Sequence, residues 1–88
     1  MPAKNFKTAA THAVENVPCD IESIFVAGGT MGQIDLYDAV NDATGTPKLT
    51  IAAPFPGMTI PRMHYGTGVT LKLAAATEVL VQRRHLDW

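Results

Sequence analysis

Three histidines, His12, His64 and His85, and one cysteine, Cys19, are the side chains of this 88-residue chain best suited to chemistry. Structural zinc is held by Cys or His ligands at short, fixed spacings, and a histidine working as acid or base needs a partner group beside it. None of the three shares a close-spaced pattern with another His, Cys or carboxylate, so they read as surface or interface histidines. Cys19 precedes Asp20, whose negative charge raises a thiol pKa and works against a nucleophilic role. It reads as a quiet, partly buried thiol, and as the single cysteine it leaves no disulfide within the chain.

Asp35, Asp38, Asn41 and Asp42 bring several oxygen ligands near one turn and suggest Ca²⁺, but their spacing departs from an EF-hand loop. Asn41 and Asp42 read instead as Asx-type turn formers. The glycine-rich Gly28-Gly29-Thr30-Met31-Gly32 is followed by a strand pattern, whereas a phosphate cradle needs a helix whose first N–H groups face the anion. It reads as a hairpin connection with Met31 at its tip. Arg83-Arg84-His85 is a basic cluster on a chain of net charge −1, too few cations for useful nucleic-acid affinity, and pairing with carboxylates of a neighbouring subunit suits it better. The expectation is therefore of no catalytic residue, no cofactor and no metal, and an enzyme is the least favoured class.

The elements that carry these residues follow from period. Gln33–Asp38, Lys48–Ile51 and Val69–Leu73 switch between polar and apolar at every residue, the period of a half-buried strand. Ile21–Val26 and Thr77–Gln82 are β-branched and short, which predicts two more strands. Turn chemistry separates them at Gly28-Gly29, Gly45-Thr46-Pro47, Pro54-Phe55-Pro56-Gly57, Pro61 and Gly66-Thr67-Gly68. Thr59–Tyr65 predicts a further strand, with Pro61 confining it to an edge or a bulge. Residues 5–14 are open between a first strand, a short helix and an extended arm, with strand or arm preferred because Thr8 and Thr11 weaken a helix. Strands at roughly ten-residue intervals predict an all-β fold, a small antiparallel β-sandwich of about six to eight short strands, jelly-roll or Ig-like. One domain covers 1–88, with an N-terminal arm or first strand over 1–20, a core over 21–83 and a tail over 84–88.

Composition adds that 47% of residues are apolar and only 17% charged, against about a quarter charged in ordinary domains. Much of the surface is therefore uncharged, which fits packing against other protein. No stretch reaches the ~18 apolar residues of a membrane-spanning helix, and the first residues lack the apolar run of a secretory signal.

The run Ile34-Asp35-Leu36-Tyr37-Asp38, then Asp42-Ala43-Thr44-Gly45-Thr46-Pro47, Leu49-Thr50-Ile51 and Tyr65-Gly66-Thr67-Gly68-Val69-Thr70-Leu71, resembles small virion proteins of tailed bacteriophages over residues 21–83. Met58–His64 departs from that pattern, where such proteins more often carry a plain Pro-Gly turn and an aromatic-Gly step. The resemblance implies a β-sandwich, often a homotrimer, on the capsid exterior as a decoration or cement protein bound to the major capsid protein. The chain would then be made in the host cytoplasm and end on the virion surface. It equally suits a head-completion, tail or fibre part, and carries no catalytic residues. A carbohydrate-binding sandwich is a third reading, which Tyr37, Tyr65, Trp88 and three Phe support weakly because they form no stripe. Expected partner contacts are Phe6, Met31, Phe55, Met58, Met63, Arg83, Arg84, Leu86 and Trp88, the methionines because flexible apolar side chains adapt to imperfectly equivalent sites.

Overall fold

The described residues form nine strands: β1 Ala3–Phe6, β2 Thr11–Glu15, β3 Cys19–Gly29, β4 Ile34–Tyr37, β5 Leu49–Ile51, β6 Thr59–Ile60, β7 Met63–Tyr65, β8 Val69–Leu73 and β9 Thr77–His85. The computed structural model describes residues 3–85, and the side chains of residues 4–83. Two antiparallel sheets pack face to face, one ordered β1-β9-β3-β6 with β7 also on β3, the other β2-β8-β4-β5. The small all-β sandwich expected from the period is therefore the fold.

Period two decides which side chains meet between the sheets. Val79 and Val81 of β9, Ile34 and Leu36 of β4, and Val69, Leu71 and Leu73 of β8 form the core with Ile21, Ile24 and Val26 of β3. Ile21 and Ile24 have opposite parity, so a regular strand would turn one of them to solvent. The register between β3 and β9 shifts between Ile21 and Ser23, and that bulge returns Ile24 and Val26 to the core side.

Of the alternatives open for residues 5–14, strand is the one that forms: β1 joins one sheet, β2 the other, and residues 7–10 carry the chain between them. The ring of Phe6 lies 5.0 Å from that of His12 inside this corner. One expectation needs correction: Gly28–Gly32 is not a hairpin turn, because β3 and β4 lie in different sheets and do not pair. The glycines serve close approach instead. A Cβ on Gly29, where φ is +80°, would come within 2.3 Å of the Ala76 carbonyl oxygen, and one on Gly32 within 2.6 Å of the Ala75 Cβ.

Pro61 behaves as expected, dividing β6 from β7 at the sheet margin, where its missing N–H interrupts no ladder. The opposite margin is closed by side chains. Lys4 Nζ donates to the Val14 carbonyl at 3.1 Å and Arg83 Nη1 reaches the same oxygen at 3.5 Å, which occupies an acceptor that an edge strand otherwise offers to another chain.

Candidate functional site

The strands of both sheets are antiparallel, in a molecule measuring 34 × 28 × 18 Å. Connections therefore collect at two ends, and charge is divided unequally between them.

At one end β3 finishes, β4 begins, and Ile34 of β4 pairs with the last residues of β5 and β8, Ile51 and Leu73. Connections 30–33, 52–58 and 74–76 consequently meet there. Backbone bonds tie them to one another and to β3: Thr30 N–H to Ala76 C=O at 3.0 Å, Ala74 N–H to Gln33 C=O at 3.1 Å, and Gly57 N–H to Val26 C=O at 2.8 Å. None of these three connections contains an ionisable residue. Phe55 projects from 52–58 with 58% of its surface exposed, while Met31 and Met58 are half-buried against the core. Phe25, 43% exposed, continues the apolar surface along the outer face of β3. Lys7 and Glu78 mark the β1 side of this end, where Asn5 Nδ2 donates to Glu78 at 2.9 Å.

At the opposite end charged side chains engage one another. Asp20 of β3 stands across from His64 of β7, with Oδ1 2.6 Å from His64 Nδ1, while Arg62 occupies Oδ2 and places its Nε 3.8 Å from Glu22. The Arg62 bond above all, then the His64 bond, holds the Asp20 carboxyl below its ordinary range. Asp38 accepts from the backbone N–H groups of Thr67 at 2.8 Å, Gly66 at 3.1 Å and Gly68 at 3.4 Å. Burial works to raise its pKa, but these bonds and Lys48 outweigh it and lower it. Lys48 also donates to the His64 carbonyl at 2.5 Å and lies 5.0 Å from the Tyr65 ring centroid, so the 38–48 connection is latched to β7. Glu15 and Arg83 form a buried ion pair joining the two sheets. Val17 and Val40 are the exposed apolar side chains here.

The oxygen-rich turn separates rather than gathers. Asp35 accepts from Gln33 and Thr50, Asp38 from 66–68, and Asp42 from the N–H and hydroxyl of Thr44, the Asx-type arrangement expected of it. Among the described residues no group of three or more His, Cys, Asp or Glu side chains is placed to hold a metal ion. Cys19 is buried, which with Glu15 pushes its thiol pKa up to about 11.

The expected contact residues divide accordingly. Met31, Phe55 and Met58 lie on connections at the same end, Phe6 sits half-buried in the β1–β2 corner, and Met63 packs against the core from β7. Arg83, expected to pair with a neighbouring subunit, is 7% exposed and spends its charge on Glu15 of its own chain. Arg84 has only its backbone described, and Leu86 and Trp88 lie outside the described residues. Comparison with protein-family models, curated proteins and solved structures returned no match.

Sequence reasoning missed the Asp20 cluster because it looked for ligands close in sequence. The signal was present in another form: Asp20 and Glu22 on β3, and Arg62 just before β7 with His64 on it, both at alternate positions, match carboxylates to basic side chains across a sheet margin.

Proposed function

We propose that the chain is a non-enzymatic structural subunit of a phage virion, a decoration or cement protein that binds the major capsid protein on the outside of the head and strengthens contacts between capsid subunits. The observation that carries this reading is the end where connections 30–33, 52–58 and 74–76 meet, which carry Met31, Phe55 and Met58 and contain no ionisable residue. Such a surface suits protein, since interface centres are depleted in charge and enriched in aromatic residues and methionine. The resemblance to phage virion proteins supplies the setting. Its segments fall on β4, β5, β8 and the Asp38 latch, the sheet behind the proposed contact.

The mechanism is mechanical. Copies seated across neighbouring capsid subunits bury apolar surface, and separating the subunits then requires that surface to be exposed again. Assembly as a homotrimer gives each particle several such contacts at once.

Quantitative mass spectrometry of purified particles from the phage that encodes the chain tests the proposal. A copy number comparable to that of the major capsid protein supports decoration. A few copies per particle moves the chain to a head-completion, tail or fibre role, and absence from the particle removes the virion reading.

A further inference from the structure

At each margin of the sandwich a lysine reaches across the gap between the two sheets, from the edge of one to the edge of the other. Lys4 of β1 donates its Nζ to the Val14 carbonyl of β2 at 3.1 Å. On the other side Lys48, immediately before β5, donates to the His64 carbonyl of β7 at 2.5 Å. We propose that Lys4 is a guard residue, which closes the β1–β2 margin and so prevents a second copy of the chain from adding its own strand there.

The register of β1 carries this role. Lys4 stands opposite Val81 of β9, a core residue, and directly paired residues share a face, so the edge strand places a lysine on its core-facing side. A strand added beside β1 or β2 would cover the ammonium, which would then lose its hydration or give up the Val14 carbonyl. Inward-pointing charges blunt sheet edges in this way. The carbonyl itself sits at an irregular point: the register of β2 with β8 shifts between Ala13 and Glu15, which places Val14 at a bulge. Arg83 Nη1 lies 3.5 Å from the same oxygen but is engaged by Glu15, so Lys4 is the closer donor.

The excluded occupant is a second copy because every copy brings the same edge strands with it, and edge strands template one another. The two margins differ in their need of a guard. β5, β6 and β7 have three, two and three residues, and Pro61 separates the last two, so that margin offers little to pair with. β1 and β2 have four and five residues and contain no proline. Lys4 is therefore the more consequential of the two lysines. The inference is independent of the virion reading and concerns this margin alone.

The experiment is sedimentation velocity of the full chain at concentrations up to about 500 μM, a range in which unpaired strand edges associate. Lys4→Met keeps a long stem without the charge, Lys4→Gln is uncharged but polar, Lys4→Arg keeps the charge, and Lys7→Met removes an exposed lysine from the neighbouring connection. Lys4→Met and Lys4→Gln are expected to associate at concentrations at least about tenfold below the wild type, with new amide-exchange protection confined to 3–6 and 11–15. Lys4→Arg and Lys7→Met are expected to sediment as the wild type does, and thermal melting checks the folding of all four. Folded Lys4→Met and Lys4→Gln that sediment like the wild type overturn the guard role. So does association shown by Lys4→Met without Lys4→Gln, or equalled by Lys4→Arg or Lys7→Met, or accompanied by protection at 49–51 or 59–65 instead. Failure of both uncharged variants to fold makes Lys4 a prop of the native fold and overturns the role as well.

Discussion

His64 and Asp20 face each other on paired antiparallel strands, the imidazole Nδ1 2.6 Å from the carboxylate, and Arg62 fills the other carboxylate oxygen from the same edge of the sheet. Arg62 and His64 of one segment thus close on a single carboxylate of β3. The arrangement fastens the three-residue strand β7, which is too short to hold itself by ladder bonds alone.

That clamp gives a pH dependence with a definite sign. Asp20 has its folded-state pKa lowered, as do Asp38 and Asp42, so each contributes stability that is present above the unfolded carboxylate pKa, about 3.9, and lost as pH falls through the lower folded values. Denaturant unfolding of the wild type should therefore show stability constant near pH 6 and falling below about pH 4, whereas Asp20→Asn should start lower and fall less steeply. Parallel curves for the two proteins would remove Asp20 from the account.

The buried Glu15–Arg83 pair predicts an asymmetry between single and double substitutions. Arg83→Met or Glu15→Leu alone leaves one buried charge without its partner and should cost about 3–5 kcal/mol in chemical denaturation. The double variant, with apolar side chains of similar size at both positions, should recover most of that loss. A double variant as unstable as the sum of the singles would mean that the pair does not act as a unit.

Two glycines with the same φ of +80° separate backbone strain from crowding. Gly45→Ala meets open space and should cost about 1 kcal/mol, the penalty for a side chain in a left-handed conformation. Gly29→Ala adds a clash with the Ala76 carbonyl and should cost about 2–4 kcal/mol. Equal midpoints in urea would show that the 74–76 connection yields without penalty.

Cys19 should resist a thiol reagent in the native protein. It is fully enclosed and its pKa is about 11, so thiolate is scarce at pH 8. Reaction with Ellman's reagent should proceed at the rate of unfolding and become immediate in denaturant. Rapid native labelling would show that the β3–β7 margin opens readily.

Strands were legible because period two is written directly in the residues of Ile34–Tyr37 and Val69–Leu73, whose apolar members are all buried, although Asp35 and Thr70 between them are buried as well, held by hydrogen bonds. What stayed hidden was long-range. Nothing near Gly29 in sequence announces that Ala76 lies against it, so a sheet-to-sheet crossing read as a hairpin. Nothing near Arg83 names Glu15, so an ion pair within the chain read as one with a neighbouring subunit. Of the candidate contact surface, the individual residues Met31, Phe55 and Met58 were visible, but their meeting at one end depends on the pairing of Ile34 with Ile51 and Leu73.

The most direct measurement is a cryo-EM reconstruction of heads saturated with the chain, at a resolution that orients a sandwich 34 Å long. The account predicts density for the chain on the outer surface of the head, over the contacts between capsid subunits. Heads that carry none of the chain would contradict it.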